Sequence, residues 1–127
     1  MSSEDDLRRY GFSPRPMFEV MLAEQGTRIA GLCLYFYTYS SWRGAPGVYV
    51  QDLVVDPSAR SSGVGRALLV VTARHARSRG ATHLRLAVDA ANAAAIRFYE
   101  RLGMRHAGNE RIYEASDDAF DALADAT

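Results

Sequence analysis

The chain has 127 residues, of which 48% are apolar, and its 15 basic and 15 acidic side chains give a formal net charge of zero. This length fits one domain with a sizeable core, and the apolar content is too high for an intrinsically disordered chain. A balanced charge provides no global field that would attract nucleic acid or an acidic membrane. We therefore expect a globular domain without a nucleic-acid partner.

The cysteine content and hydropathy exclude two further classes of protein. Cys33 is the single cysteine, so an internal disulfide is excluded, and its apolar surroundings indicate a small buried side chain. No segment approaches the roughly 18 apolar residues of a membrane span, and the acidic start resembles no signal peptide. We expect a cytoplasmic protein that does not enter a membrane.

The first third of the chain predicts an antiparallel strand pair. Residues 1–16 are polar and indicate a short helix or turn. Met17–Gln25 and Ile29–Tyr39 are apolar and strand-like, and Gly26-Thr27-Arg28 between them is typical of a hairpin turn. Gly, Pro and Ser make residues 40–47 a predicted loop.

A central strand is predicted over Val48–Asp56, because both of its faces are largely apolar. Strict alternation would place Gln51 and Asp52 on opposite faces of this strand. On that pattern Asp52 shares a face with Val48, Val50 and Val54, and Gln51 shares one with Tyr49, Leu53 and Val55.

A right-handed crossover should follow the central strand. Apolar residues spaced i, i+3, i+4 and i+7 predict a helix over 63–79, and residues 83–89 predict a strand parallel to the first. Asn92 is a helix cap before residues 93–102. Two final strands are expected at 104–107 and 111–115, turning at Gly108-Asn109, with a short helix after Ser116. The prediction is one α+β domain with a mixed sheet, spanning residues 1–127.

The segment from Arg60 to Arg66 has the features of a phosphate-binding turn. Gly63 and Gly65 lie at a predicted helix start, where unpaired N–H groups and the helix dipole favour an anion. No lysine follows Gly65, which excludes a P-loop, and Leu68 stands where a dinucleotide fingerprint needs a small residue. The competing interpretation is a tight strand-to-helix turn without a ligand.

These motifs resemble those of the GNAT superfamily of N-acetyltransferases. Arg60, Gly63 and Gly65 match its Arg/Gln-x-x-Gly-x-Gly/Ala motif, and Asn92 followed by Phe98-Tyr99 and Gly103 matches a second family feature. The resemblance implies a mostly antiparallel mixed sheet with a splayed parallel strand pair and flanking helices. It also implies acetyl-CoA as co-substrate, and we expect no metal because the three histidines lack ligand spacing.

A narrower resemblance points to the diamine branch, which includes spermidine/spermine and thialysine N-acetyltransferases. It rests on Tyr35–Tyr39, on Trp42-Arg43-Gly44 and on Val48–Leu53. The branch implies a homodimer that acetylates a small diamine- or lysine-like primary amine, with Tyr39 and Trp42 lining the amine site. The chain departs from it by lacking the first strand and by carrying Gln51 for a Glu and Ser40 for the Asp of polyamine members.

The resemblance assigns roles to individual residues. The acetyl-CoA site comprises the backbone of Leu53, Val54 and Val55, the turn residues Arg60, Ser61, Ser62, Gly63, Val64, Gly65 and Arg66, and also Asn92 and Tyr99. A backbone N–H of Leu53 or Val54 stabilises the developing oxyanion, and Tyr99 is the general acid for the leaving thiolate.

The proton acceptor for the amine is open at this point. An alkylamine with a pKa of about 10.4 is less than about 0.1% neutral at pH 7, so a base is needed. Gln51 occupies the position of the branch's acid but cannot accept a proton. Asp52 and Asp89 are the candidate substitutes and candidate amine-binding residues. The alternative functions are acetylation of protein N-termini or lysines, and a non-catalytic acyl-CoA-binding module.

Overall fold

A computed structural model describes residues 3–108 and 111–127. They divide into two compact units, Met1–Asn92 and Ala93–Thr127. The first contains helices α1 and α2, strands β1 to β4 and a one-turn 3-10 helix; the second contains helices α3 and α4. The bounds are α1 Glu4–Gly11, β1 Glu19–Gln25, β2 Arg28–Ser40, β3 Ala45–Val55, the 3-10 turn Pro57–Ala59, α2 Val64–Ser78, β4 Leu84–Leu86, α3 Ala93–Arg101 and α4 Asp117–Ala124. Within the described ranges, no helix is both long and apolar enough to cross a membrane.

The sheet has the order β1-β2-β3-β4, with antiparallel β1–β2 and β2–β3 pairs and a parallel β3–β4 pair. This confirms the predicted α+β fold with a mixed sheet. Gln25 pairs with Arg28, so Gly26 and Thr27 form a two-residue turn in which Gly26 takes a φ of 64°. Glycine suits this position because a left-handed backbone is strained for other residues.

Two predicted boundaries of the central strand pair are wrong. β3 begins at Ala45 instead of Val48, because Pro46 and Gly47 continue the ladder opposite Tyr39 and Thr38. The turn into it is short: the N–H of Gly44 donates to the carbonyl of Ser40 at 2.8 Å. β4 is only three residues long, since the chain turns at Asp89, whose carboxylate accepts the Ala91 N–H at 2.8 Å.

A β-bulge in β3 overturns the predicted alternation. Leu34 stands opposite Asp52, whereas its neighbour Tyr35 stands opposite Val50, so Gln51 is the extra residue on β3. Directly opposed residues share a face of the sheet. The register therefore groups Leu53 and Val55 with Val48 and Val50 on one face, and Asp52 and Val54 with Tyr49 on the other.

The core lies between this sheet and α2. Leu68, Leu69 and Thr72 of α2 are buried, as are Cys33 and Tyr35 on β2 and Val48 and Val50 on β3. A Cβ on Gly31 would come within 2.7 Å of the Val54 carbonyl and 3.1 Å of Leu68, so helix and sheet are in close contact there. At the far end of α2, Arg79 pairs with Glu19 of β1 at 3.0 Å. These contacts fix α2 on the face of the sheet that carries Val48 and Val50.

The second unit differs from prediction in its extended segments. No strand forms at 104–107 or over the described residues 111–115, although Gly108 does adopt a turn. Asn109, the other residue of the predicted turn, lies outside the described residues. Ile112 and Tyr113 are 90% and 89% exposed. Alternating apolar residues form a strand only where a neighbouring strand accepts their backbone hydrogen bonds, and no such strand is found for these residues within 3–108 and 111–127.

Candidate active site

The turn after β3 is shaped by Asp56. Its Oδ1 accepts hydrogen bonds from the N–H of Ser58 at 2.9 Å and from the Ser58 hydroxyl at 2.6 Å. These two bonds hold the pKa of the Asp56 carboxyl below its usual range. Pro57 starts the 3-10 turn, and the Ser62 hydroxyl donates to the Ala59 carbonyl. The Ser62 O–H is therefore engaged within the turn, which leads to the start of α2.

The N-terminus of α2 has unsatisfied donors. Gly63 is the N-cap residue with a φ of 84° and offers no side chain to the helix. Among the described residues, no acceptor is found for the N–H groups of Val64, Gly65 and Arg66; the first bonded N–H is that of Ala67, to Gly63 at 3.0 Å. A Cβ built on Gly63 meets no atom within 4 Å. Open space therefore faces a group of donors suited to an anion.

Three arginines lie near this turn. Arg60 and Arg66 flank it and are exposed, as the motif predicted. Arg28, on β2, was missed: its guanidinium contacts Asp56 at 3.6 Å and donates to the Ser58 hydroxyl at 3.3 Å. The pairing of β2 with β3 brings Arg28 close to Asp56, and no local sequence motif indicates this contact. The positive charge is appropriate for a diphosphate.

The edge of β3 that faces β4 is open along its second half. The β3–β4 ladder runs only from the Val48–Leu84 pair to the Val50–Leu86 pair, so residues 51–55 continue without a β4 partner. The Asp56 N–H donates to the Ala30 carbonyl at 2.7 Å, so the backbone polar groups of Asp56 point toward β2. Because these groups point to alternate sides of an antiparallel strand, those of Val54 also face β2, and those of Leu53 and Val55 face the open edge. Leu53 and Val55 therefore fit the predicted role, whereas the backbone of Val54 does not.

Gln51 and Asp52 lie on the same face, which corrects the prediction that they point apart. Alternation from Val50 turns Gln51 away from α2, and the pairing of Asp52 with Leu34 places Asp52 on that face as well. Both residues are exposed. Beside them, the rings of Tyr49 and Phe36 stack with centroids 5.3 Å apart. This face thus presents a carboxylate, an amide and an aromatic surface.

Asp89 and Asn92 follow the carboxyl end of β4. Because β3 and β4 are parallel, this end is the same end of the sheet as residues 51–55 and the Gly63 turn. The Asp89 carboxylate accepts the Ala91 N–H at 2.8 Å, and the Asn92 N–H donates to the Asp89 carbonyl at 2.8 Å. Asn92 immediately precedes α3, as predicted for a cap residue.

The predicted amine-site residues Tyr39 and Trp42 lie at the other end of the hairpin. Tyr39 pairs with Pro46, which at about 3.3 Å per residue is roughly 15–20 Å along β3 from Asp52. Trp42 is 96% exposed and Tyr39 is 70% exposed, so neither packs on the sheet edge. The structure therefore does not bring these two aromatic residues together with Asp52 in the first unit.

Tyr99 belongs to the second unit, on α3. Its ring is half-buried and lies 5.3 Å from the Phe98 ring at an interplanar angle of 58°. The helix ends at Arg101, and Gly103 follows with a φ of 90°, which matches the predicted glycine stop. The Phe-Tyr pair is therefore helical, as the resemblance implied.

A cavity of about 530 Å³ lies in the first unit, beside the last turns of α2. Arg74, Arg77 and His83 are among the residues that line it. Burial, together with Arg43 and Arg85, lowers the pKa of His83. The cavity is at the opposite end of α2 from the Gly63 turn, so we do not assign the coenzyme to it. No group of three or more potential metal-ligand side chains is found in residues 3–108 and 111–127.

Comparison with known proteins resolves the family. A family model described as the Acetyltransferase (GNAT) family matches residues 2–104. The chain belongs to the GNAT acetyltransferase family. The thialysine N-epsilon-acetyltransferase of Sus scrofa is 35% identical over 111 residues, which cover 81% of this chain and 65% of that protein. The resemblance to the GNAT superfamily and its diamine branch is thereby confirmed.

Two further proteins are similar to this chain, one over a shorter segment and one in its fold. The mycothiol acetyltransferase of Acidothermus cellulolyticus is 50% identical over 72 residues, covering 57% of this chain and 21% of that protein. An integron cassette protein from the mobile metagenome of V. cholerae superimposes with a TM-score of 0.84 at 25% identity, over 98% of this chain and 80% of that one. The chain spans about 65% of the length of the thialysine relative.

Proposed function

We propose that this GNAT domain transfers an acetyl group from acetyl-CoA to the primary amine of a small diamine- or lysine-like molecule, as a cytoplasmic homodimer. The observation that carries the proposal is the pairing of two features at one end of β3. Within the described residues, the N–H groups at the start of α2 have no acceptor, and the backbone edge at Leu53 and Val55 has no β4 partner. The diphosphate of acetyl-CoA would suit the unpaired N–H groups, and its extended pantetheine arm would suit the open strand edge.

The residues present fit the coenzyme. The Val64–Arg66 amides, with Arg60 and Arg66, would hold the diphosphate, and Gly63 leaves the space that a Cβ would fill. Leu53 and Val55 would bond the pantetheine arm as an added strand does. Acetyl-CoA, when bound, supplies the activated acetyl thioester. The Leu53 N–H would stabilise negative charge on the carbonyl oxygen, and the Tyr99 hydroxyl would protonate the departing sulfur.

The amine acceptor is the finer part of the proposal. The similarity to a thialysine N-epsilon-acetyltransferase over 81% of the chain supports a lysine-like amine. Gln51 and Ser40, where the diamine branch carries acidic residues, leave less negative charge for a polyamine. We therefore place amino acids with a side-chain amine ahead of polyamines, and both ahead of protein N-termini or lysines.

The test of the proposed reaction is a thiol-release assay with acetyl-CoA and a panel of acceptors. The panel contains lysine-like amino acids, diamines and polyamines, and peptides with a free N-terminus or a lysine. We expect release of CoA with the small amines and little with the peptides. Binding of acetyl-CoA without CoA release from any acceptor would instead support the non-catalytic acyl-CoA-binding module.

The role of Tyr99 is tested by Tyr99→Phe. Loss of a general acid should lower turnover by about 10²- to 10⁴-fold, while the affinity for acetyl-CoA, measured by calorimetry, changes little. Tyr113→Phe is the matched control, because Tyr113 lies in the same unit and is 89% exposed. Equal turnover of the wild type and Tyr99→Phe would remove Tyr99 from the mechanism.

A further inference from the structure

The bulge at Gln51 changes which carboxylate lies beside the open edge of β3. In a regular strand Asp52 would point toward α2, on the face that carries Val48 and Val50. The extra residue reverses this, so Asp52 stands opposite Leu34 on the face away from α2. Gln51 is on the same face. The carboxylate of Asp52 is therefore next to the amide that replaces the acid of the diamine branch.

The surroundings of Asp52 suit a proton acceptor. α2 packs against the opposite face of the sheet, so an amine that approaches the open edge arrives on the Asp52 side. Asp52 is exposed and directly precedes Leu53, whose N–H faces that edge. The stacked Tyr49 and Phe36 rings provide an aromatic surface on the same face, where an alkyl chain can lie.

The other carboxylates at this end of the sheet are engaged in local structure. Asp89 accepts the Ala91 N–H at 2.8 Å and thereby shapes the turn after β4. Asp56 accepts two hydrogen bonds from Ser58 and contacts Arg28 at 3.6 Å. No hydrogen bond or ion pair of the Asp52 carboxylate is found within the described part of the chain. Of these three carboxylates of the first unit, Asp52 is thus the one available to an incoming ammonium.

We propose that Asp52 is the catalytic base of the acetyl transfer: it binds the acceptor ammonium on the face shared with Gln51 and removes its proton, directly or through one water. The inference rests on the proposed acetyltransferase function and assigns the proton acceptor that the sequence left open. It depends on the bulge, because a regular strand would hide Asp52 beneath α2.

The step balances in protons and charge. The ammonium gives one proton to the Asp52 carboxylate, and the neutral nitrogen attacks the thioester carbonyl. The nitrogen–carbon bond forms as the carbon–sulfur bond breaks. The second nitrogen-bound proton passes to water, and the thiolate gains one from the acid of the site, which is then reprotonated from water. Asp52 then returns its proton to water, so one ammonium and one thioester yield one amide, one thiol and one proton.

The experiment compares four variants with the amine that the wild type acetylates fastest. They are Asp52→Asn, the double variant Asp52→Asn with Gln51→Glu, Asp89→Asn and the control Glu24→Gln, which alters an exposed carboxylate on β1. For each we would measure kcat and KM from pH 5 to 9, amine affinity by calorimetry, and the urea unfolding midpoint.

We expect Asp52→Asn to lower kcat/KM by about 10²- to 10³-fold and to weaken amine binding. Its rate should rise steadily with pH, because without the base only the neutral fraction of the amine reacts. The double variant with Gln51→Glu should have a kcat/KM at least about tenfold higher than that of Asp52→Asn, because the new carboxylate lies on the same face. A double variant as inactive as Asp52→Asn would contradict this placement.

Two further outcomes would overturn the assignment of Asp52 as the base without contradicting the proposed acetyltransferase function. Asp52→Asn could retain the wild-type rate and pH profile, or Asp89→Asn could show the loss instead. Either result removes Asp52 as the base and leaves the acetyltransferase function standing. A wild type that acetylates no amine would end both proposals.

Discussion

The two halves of β3 differ in what surrounds them. Residues 45–50 pair with β2, and residues 48–50 also pair with β4 on the other edge of the strand. The side chains of Val48 and Val50 in this half are 1% and 4% exposed. Residues 51–55 pair with β2 only, and Val54 is 54% exposed. The bulge at Gln51 lies between the halves. One strand thus contributes stability with its first half and leaves the second half available for binding.

The largest expected effect comes from the backbone of the second half. Leu53→Pro removes an N–H that faces the open edge and leaves the β2 ladder intact. We expect turnover to fall by about 10²- to 10³-fold, the usual loss for one oxyanion donor. The measurement is the rate of CoA release at saturating acetyl-CoA.

Two variants control for the side chain and the ladder at this position. Leu53→Ala shortens the side chain but retains the N–H, so it should stay within about tenfold of the wild type. Val54→Pro removes an N–H that faces β2 and should lower the urea midpoint more than Leu53→Pro does. If Leu53→Pro and Leu53→Ala are equally active, the Leu53 N–H has no part in the reaction.

A smaller effect is expected at the turn that the second half leads to. Gly63→Ala adds a Cβ at a φ of 84°, into the space in front of the uncapped amides. We expect the dissociation constant for CoA, measured by calorimetry, to rise about tenfold. Gly26→Ala is a matched control for strain, since Gly26 also has a positive φ of 64° and open space. Equal CoA affinity of Gly63→Ala and Gly26→Ala would show that the turn does not bind the coenzyme.

The smallest effect concerns the free energy of unfolding, and it compares the halves directly. Val48→Ala shortens a buried side chain and should lower the free energy of unfolding by about 1–2 kcal/mol. Val54→Ala, at an exposed position, should lower it by less than about 0.5 kcal/mol. Urea titration of both variants measures the difference. A similar cost for the two would mean that the exposed half of β3 is covered in the folded protein.

Local residue chemistry was sufficient to predict several elements. Gly26 marked the first hairpin and Pro57 the end of the central strand. Apolar spacing predicted the helix α2, although Val71 of the expected stripe is 46% exposed and the buried face includes Leu69 and Thr72 instead. Gly63 and Gly65 marked the helix start with uncapped amides. These predictions succeeded because glycine, proline and helical periodicity act within a few residues of themselves.

The predictions that failed depended on partners distant in sequence. No pairing strand for the segments 104–107 and 111–115 is found among the residues that the structure describes, and β4 is shorter than its apolar run. The approach of Arg28 to Asp56 follows from the hairpin register, which sets residues 28 apart against each other. Tyr39 and Trp42, whose amine-site role stays a prediction, are close to Asp52 in sequence but lie at the other end of β3.

The sequence by itself determined the mixed α+β fold and the glycine turn at the start of α2, and it supplied the residues that we propose as acid or base. Only the tertiary structure decided which face Asp52 occupies and which backbone groups of residues 53–55 reach the open edge. The physical reason is that strand alternation has a period of two, so one unpaired residue at Gln51 reverses the faces of everything after it. A bulge is a property of two strands in register and is not encoded in the residues of one strand alone.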